Sequence, residues 1–299
     1  MDQGAFEDAD GVEVAYRRVV PTQPRGIVLV LHGASEHGGR YDRFARELAE
    51  HGWAAYAPDH RGHGRTAASS GRGRMGPGGA DGLLRDVDQL RGLAVEEVGD
   101  LPVVVFGHSM GSLVAIGYIE RSGTGLAGCI LSGNGGIAEG LADLATMVRQ
   151  VAEGGMADEP MDALSPFNEP FEPARTPYDW LSRDAAEVDA YIADPDCGDE
   201  LPLTYGFLAE IMELGATSTT PEGLGTIPAD LPLLLVTGDQ DPVSNDAANV
   251  RVLEQALRDR GLDVTAHYYE GARHEVLNET NRAEVQTDIV RWLDALPSA

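Results

Sequence analysis

The chain has 299 residues, 42% of them hydrophobic, which suffices for one large domain or a domain with an insertion and excludes a disordered chain. Its 49 acidic residues against 22 basic ones give a net charge of -27, which repels nucleic acid and anionic lipid surfaces, so no nucleic-acid partner is expected. All 22 basic residues are arginine, and the missing lysine excludes Schiff-base catalysis, covalent pyridoxal phosphate and a P-loop phosphate site.

The first residues, Met1 to Asp8, lack the basic and apolar regions of a signal peptide. No apolar run approaches the roughly 18 residues of a membrane span, so a cytoplasmic chain with no stable membrane insertion is expected. Residues 12–20 alternate as an edge strand, and residues 26–31 form a continuous apolar run of the kind buried on both faces of a parallel sheet. A helix over 41–51 ends at Gly52, a short strand covers 53–57, and a helix over 82–98 turns Leu83, Val87, Leu90 and Leu93 or Ala94 inward. A second buried strand, 101–106, leads into an apolar helix over 112–119, and a third covers 126–131. This βαβα order predicts an α/β fold with a mostly parallel central sheet and helices on both faces.

From 134 to 225 the alternation gives way to helix-like stretches and Pro, Asp and Gly-rich segments, so these residues are read as an inserted helical cap on a core of 1–133 and 226–299. Within it, Ile137, Leu141, Leu144, Val148 and Val151 recur at helical spacing and are expected to pack the cap. Phe207, Leu208, Ile211 and Met212 concentrate in a second helical stretch. After the cap come a strand over 231–236, a helix over 245–260, a strand over 264–269 and a closing helix over 280–296. Residues 71–76 match G-x-G-x-x-G in form, but no strand precedes them; they are read as a flexible surface loop, not a dinucleotide site. The two cysteines, Cys129 in an apolar run and Cys197 in a polar loop, are too few for a disulfide scaffold.

The segment Gly107-His108-Ser109-Met110-Gly111 joins the second buried strand to its helix and matches the G-x-S-x-G nucleophile elbow in motif and context. A strand turning at once into a helix strains its middle residue and needs small flanking residues, so Ser109 is the candidate nucleophile. A serine hydroxyl needs a base, and the base needs an acid to fix its tautomer. Only His267 and His274 follow Ser109 in the chain. His267 falls inside a strand, whereas His274 lies in the next loop, where a side chain reaches over the sheet edge; His274 is the candidate base. The loop after the 231–236 strand offers Asp239 and Asp241. Asp241, farther from the strand and just before a proline, is preferred as the acid, with Asp239 left to cap the turn. Backbone N–H groups must meet the oxyanion, one from Met110 and one from Ala34 in the loop His32-Gly33-Ala34-Ser35-Glu36-His37-Gly38. His32, His37 and His108 are assigned local hydrogen bonding, and His60-Arg61-Gly62-His63-Gly64 lacks acidic ligands at metal spacing, so no metal or cofactor is expected.

These segments, with Asp59-His60-Arg61-Gly62-His63-Gly64, Asp241-Pro242-Val243 and residues 269–275, resemble the monoacylglycerol lipase and lysophospholipase group of α/β-hydrolases, which is grouped with serine aminopeptidases. The stretch 177–184 is also similar to bacterial members. The resemblance implies the α/β-hydrolase fold, a Ser109–His274–Asp241 triad with Ala34 and Met110 as oxyanion donors, and cleavage of a small-molecule ester or single-chain lipid. A serine aminopeptidase or amidase, or a ligand-binding protein without catalysis, remains an alternative on the same fold.

Overall fold

The computed structural model describes residues 1–296, so the last three residues of the expected core, 297–299, lie outside the described residues. Its strands are β1 (Asp2–Glu7), β2 (Glu13–Val19), β3 (Gly26–Leu31), β4 (Trp53–Pro58), β5 (Val103–His108), β6 (Gly128–Ser132), β7 (Leu233–Gly238) and β8 (Val264–Tyr269). They form one sheet in the order β1-β2-β4-β3-β5-β6-β7-β8. β2 runs antiparallel to both β1 and β4, and the pairs from β4 onward are parallel.

The helices are α1 (Asp42–Glu50), α2 (Ala67–Ser70), α3 (Gly79–Val98), α4 (Met110–Ser122), α5 (Leu141–Val151), α6 (Ala185–Ala193), α7 (Tyr205–Ser218), α8 (Pro221–Leu224), α9 (Ala248–Asp259) and α10 (Arg282–Ala295). Because side chains alternate across a strand, each apolar run feeds two cores. Ile27, Leu29 and Leu31 of β3 join α3, α4 and α9 on one face, while Val28 and Val30 join α1 and α10 on the other. This two-sided burial is what makes the central strands continuous apolar runs in the sequence.

Four expectations change. β2 is not the edge, because β1 pairs along it, Phe6 opposite Val14. β1 carries Asp2, Gln3 and Glu7 on a mostly exposed strand, and a short polar strand at a sheet edge gives no apolar signal while protecting the sheet from further pairing. α5 packs on α7 through Ala145, Val148 and, just beyond its end, Ala152; Leu144 and Val151 are exposed instead of packing the cap. Apolar residues surround this helix, so spacing alone could not fix which stripe turns inward. The loop 71–76 is tied down, not loose: Gly73 N–H donates to the Gly62 carbonyl at 2.9 Å, the Gly73 carbonyl accepts from Thr204 N–H at 3.0 Å, and Met75 is buried. The helix of 205–214 does not pack the insert alone either. Its Phe207, Leu208 and Ile211 enter the same core cluster as α3 and α4.

Between β6 and β7 the chain thus carries helices that enter the main core, α7 with Val148 of α5 and Leu224 of α8, and a separate small cluster of Tyr178, Trp180, Leu181, Val188, Tyr191 and Cys197. That cluster sits over the C-terminal ends of the parallel strands, the edge of such a sheet where ligands bind.

Candidate active site

β5 ends at His108, and Ser109 follows with φ 52° and ψ -119°, a conformation L-residues adopt only when their surroundings force it. The force is visible. Ser109 N–H donates to the Ser132 carbonyl at 2.9 Å, and the Ser109 carbonyl accepts from Ser112 N–H at 2.9 Å as α4 begins. A Cβ on Gly107 would stand 2.2 Å from the Gly111 carbonyl oxygen, and one on Gly111 would stand 2.2 Å from that of Leu31. Both glycines of the elbow are therefore fixed by backbone crowding between β3, β5 and α4.

His274 arrives in the loop after β8, buried and beside the elbow. Its Nδ1–H is shared between the two carboxylate oxygens of Asp241, at 3.0 and 3.1 Å, a tautomer that leaves Nε2 as the acceptor. Asp241 is fully buried and also accepts from Val243 N–H at 3.0 Å, which fixes the carboxylate at the start of the turn after β7. Asp239 does not compete. It accepts from Gly271 N–H at 2.7 Å and so pins the loop that carries His274 instead of capping its own turn. His267 lies on the outer strand β8, partly exposed and 3.9 Å from Asp288. Burial opposes a charged His274, but Asp241, its hydrogen bond, Glu275 and Glu36 outweigh burial and raise the imidazole above its usual 6.5. Ser109 and His274 border one chamber, yet no hydrogen bond joins them among the described residues; such contacts tighten when substrate enters.

The loop after β3 is shaped by buried histidines held neutral. His32 donates Nδ1–H to the Gly33 carbonyl at 2.8 Å and accepts from His60 N–H at 2.8 Å, and burial pushes its pKa well below 6.5. His63 donates Nδ1–H to the Arg61 carbonyl at 2.9 Å and accepts from Ser35 N–H at 3.1 Å, with burial taking it to about 4. With Gly33 N–H on the Glu36 carboxylate and Ser35 N–H on His63, the Ala34 N–H between them has no partner among the described residues, and neither has Met110 N–H. Two unpaired donors in the neighbourhood of Ser109 form the arrangement that an oxyanion requires. His108 sits beside His274, its pKa lowered to about 4 by burial and then by His274, and bonds the Ser132 hydroxyl at 3.2 Å. His37 receives Gly39 N–H at Nδ1 and donates from Nε2 to Asp194 at 3.0 Å. Cys197 approaches that pair, but both ring nitrogens of His37 are already engaged, so hydrogen bonding accounts for the group.

Sequence reasoning missed the buried charges behind the chamber. Glu36 accepts from Tyr41 hydroxyl at 2.8 Å and from Arg40 at 2.6 Å, while Arg40 also reaches Glu275 at 2.8 Å. Burial alone would push Glu275 up; the Arg40 guanidinium holds it well below the ordinary carboxylate range. This triplet fastens the loop after β3 to the residue after His274. The i,i+4 spacing of Glu36 and Arg40 was available as a signal; their link to Glu275 was not. Glu279 was missed too. It accepts from the N–H groups of Arg183 at 3.0 Å and Arg273 at 2.9 Å and so joins the insert to the histidine loop.

The chamber at Ser109 has a volume of about 20 Å³, with Ala34, Leu164, Trp180, Leu181 and His274 in its wall. A larger cavity of about 390 Å³ lies beside it, lined by Ser35, Met161, Tyr178 and Leu203 among others, and Leu164 borders both.

A family model for the serine aminopeptidases, S33, matches residues 22–281. The chain belongs to this family. Among its relatives, the S33 chain is 31% identical to a monoacylglycerol lipase of Mycolicibacterium smegmatis over 97% of its own length and 95% of that protein. It is 31% identical to the human monoglyceride lipase over 91% of its length and 83% of that protein. A thermostable carboxyl esterase from Bacillus coagulans, solved in complex with glycerol, superposes with a TM-score of 0.92 at 31% identity, covering 99% of this chain and 98% of that one. The α/β-hydrolase architecture expected of the S33 chain is thus the one it has.

Proposed function

We propose that this protein is a carboxylic ester hydrolase working through Ser109, His274 and Asp241, with residues 134–225 as a cap that selects the substrate. The observation that carries the reading is the buried His274–Asp241 pair beside a strained Ser109 and two free N–H donors. His274 Nε2 takes the Ser109 proton as Oγ attacks the ester carbonyl, and the negative oxygen is met by Ala34 and Met110 N–H. His274, stabilised as imidazolium by Asp241, returns the proton to the departing alcohol. Water, deprotonated by His274, then releases the acid from the acyl-serine. The steps consume only ester and water.

The monoacylglycerol lipase and esterase relatives support a small or single-chain ester as substrate, and the net charge of -27 favours dispersed molecules over anionic membranes. No helix among the described residues is long and apolar enough to cross a membrane. Two unpaired cysteines, Cys129 and Cys197, suit a reducing cytoplasm. An aminopeptidase needs a carboxylate for the substrate ammonium; those at the chamber, Glu36 and Glu275, are already bonded to Arg40. Hydrolysis of p-nitrophenyl esters of increasing chain length, beside an aminoacyl anilide, tests the assignment. Esters should be cleaved, Ser109→Ala should lower kcat by about 10⁴-fold or more and abolish fluorophosphonate labelling. Preference for the anilide, or labelling that survives the substitution, overturns it.

A further inference from the structure

Ser35 follows Ala34 and holds φ 51°, in the left-handed region that L-residues enter only under constraint. The constraint comes from hydrogen bonds on all of its polar groups. Its N–H donates to His63 Nε2 at 3.1 Å and its hydroxyl donates to the Leu201 carbonyl at 2.9 Å. Its carbonyl accepts from Gly198 N–H at 2.9 Å and from the Tyr191 hydroxyl at 3.0 Å. Three of these four bonds lead into residues 191–201 of the insert. The partners are themselves fixed. Gly198 takes φ 56°, and a Cβ there would stand 3.0 Å from the Tyr178 hydroxyl and from the Tyr191 ring. Tyr191 is buried, its ring 5.1 Å from that of Tyr178 and the Arg40 guanidinium 4.8 Å over its face.

We propose that Ser35 is a positioning residue for ester hydrolysis and that residues 191–201 are the clamp that keeps it left-handed, so that the Ala34 N–H meets the oxyanion. The inference rests on the hydrolase reading above. The φ angle of Ser35 sets the direction of Ala34 relative to Glu36. Glu36 is anchored by Arg40 and the Tyr41 hydroxyl, so a return of Ser35 to negative φ must be taken up on the Ala34 side, which turns that donor away from Ser109. A donor already in place stabilises the developing charge; one that must reorient during the reaction loses much of that effect. The clamp acts through Ser35 and not on the substrate. Loosening it therefore slows every ester alike, which sets Tyr191, Gly198 and Leu201 apart from the rest of the insert.

Tyr191→Phe removes one donor of the clamp and keeps the ring against Tyr178 and Arg40. On p-nitrophenyl acetate and butyrate alike it should lower kcat about tenfold and change KM less than about twofold. A trifluoromethyl ketone, whose tetrahedral adduct on Ser109 carries the oxyanion, should bind about tenfold more weakly, while the product acid stays within about twofold. Rescue is the deciding measurement. Glycine adopts positive φ without steric cost and needs no clamp, so in a Ser35→Gly background Tyr191→Phe should lower kcat less than about twofold. A substrate contact of Tyr191, or a general loosening of the fold, would cost the same in both backgrounds. Equal losses in the two, or no loss with serine present, overturn the proposal. Should Tyr191→Phe fail to fold, Ser35 itself decides. Ser35→Ala and Ser35→Gly both lose the bond to Leu201, but only alanine still needs holding, so it should be slower in kcat by about threefold or more; equality or the reverse order overturns the proposal. If the wild-type enzyme cleaved no ester in a Ser109-dependent way, the hydrolase reading itself would fall, a result distinct from esters cleaved with a Tyr191 effect that glycine leaves unchanged.

Discussion

Ser109, Asp241 and His274 leave the ends of β5, β7 and β8, whereas Leu164, Trp180 and Leu181 reach the same chamber from short turns of the insert. The first group is set by parallel strands buried on both faces and by carbonyls that crowd Gly107 and Gly111. The second is set by a small cluster of its own and by hydrogen bonds to loops, such as Arg183 and Arg273 on Glu279. Strand ends cannot shift without breaking the sheet, while turns clamped by side chains vary at little cost to the core. On the proposed assignment, the bond-breaking groups sit on the rigid part and the groups that meet the variable parts of a substrate sit on the adjustable part. Changes on the sheet side should depress every ester alike. Changes on the insert side should reorder esters.

The largest effect should come from Asp241→Asn. An amide cannot hold the His274 tautomer, so kcat should drop by about 10³–10⁴ for all esters tested, with chain-length preference unchanged. A drop confined to some acyl chains would break the comparison. The pH profile is gentler. His274 must be neutral to take the Ser109 proton, and its pKa is raised above 6.5, so kcat/KM should fall about tenfold per unit below that raised value. The same shift works oppositely on stability: the imidazolium–Asp241 pair contributes fully below pH 6.5 and its contribution is lost as pH rises through the folded value. Activity and the His274 contribution to thermal stability should therefore move in opposite directions across that window, as paired rate and melting measurements would reveal.

Much of the sheet side was legible because its signals are local. Residues 26–31 and 231–236 read as buried strands, and Ser109 follows one in a five-residue motif. β1 was not legible, since Asp2, Gln3 and Glu7 mask a strand whose partner supplies its pattern. Asp241 was preferred over Asp239 for its distance from the strand and the proline after it, but the bond of Asp239 to Gly271 spans 32 residues and left no local signal. The link from Arg40 to Glu275 spans 235 residues and joins charges that any surface could carry. The insert was least legible. Trp180 and Leu164 sit in turns without period, and what each touches depends on how the whole segment folds onto the sheet. On α5 the expected stripe kept only Val148 of its middle and last positions, because packing on α7 turned Ala145 inward and left Leu144 and Val151 exposed.

Leu164 supplies the smallest effect and the finest test of the insert's part. Among the described residues it alone lines both the 20 Å³ chamber, with Ser109, and the 390 Å³ cavity, with Tyr178. A chamber of that size holds one water, so an acyl or alcohol chain longer than a few atoms needs further space, and the larger cavity bordered by Leu164 offers it. Leu164→Ala removes the partition without touching the strands. Short esters, which fit without crossing it, should lose at most about twofold in kcat/KM through looser packing, whereas long-chain esters should gain about threefold to tenfold as the two spaces merge. A series from acetate to dodecanoate would expose the change in slope. If long and short esters instead moved together, Leu164 would belong with the groups that act on every substrate, and the line drawn between sheet and insert would have to run on its other side.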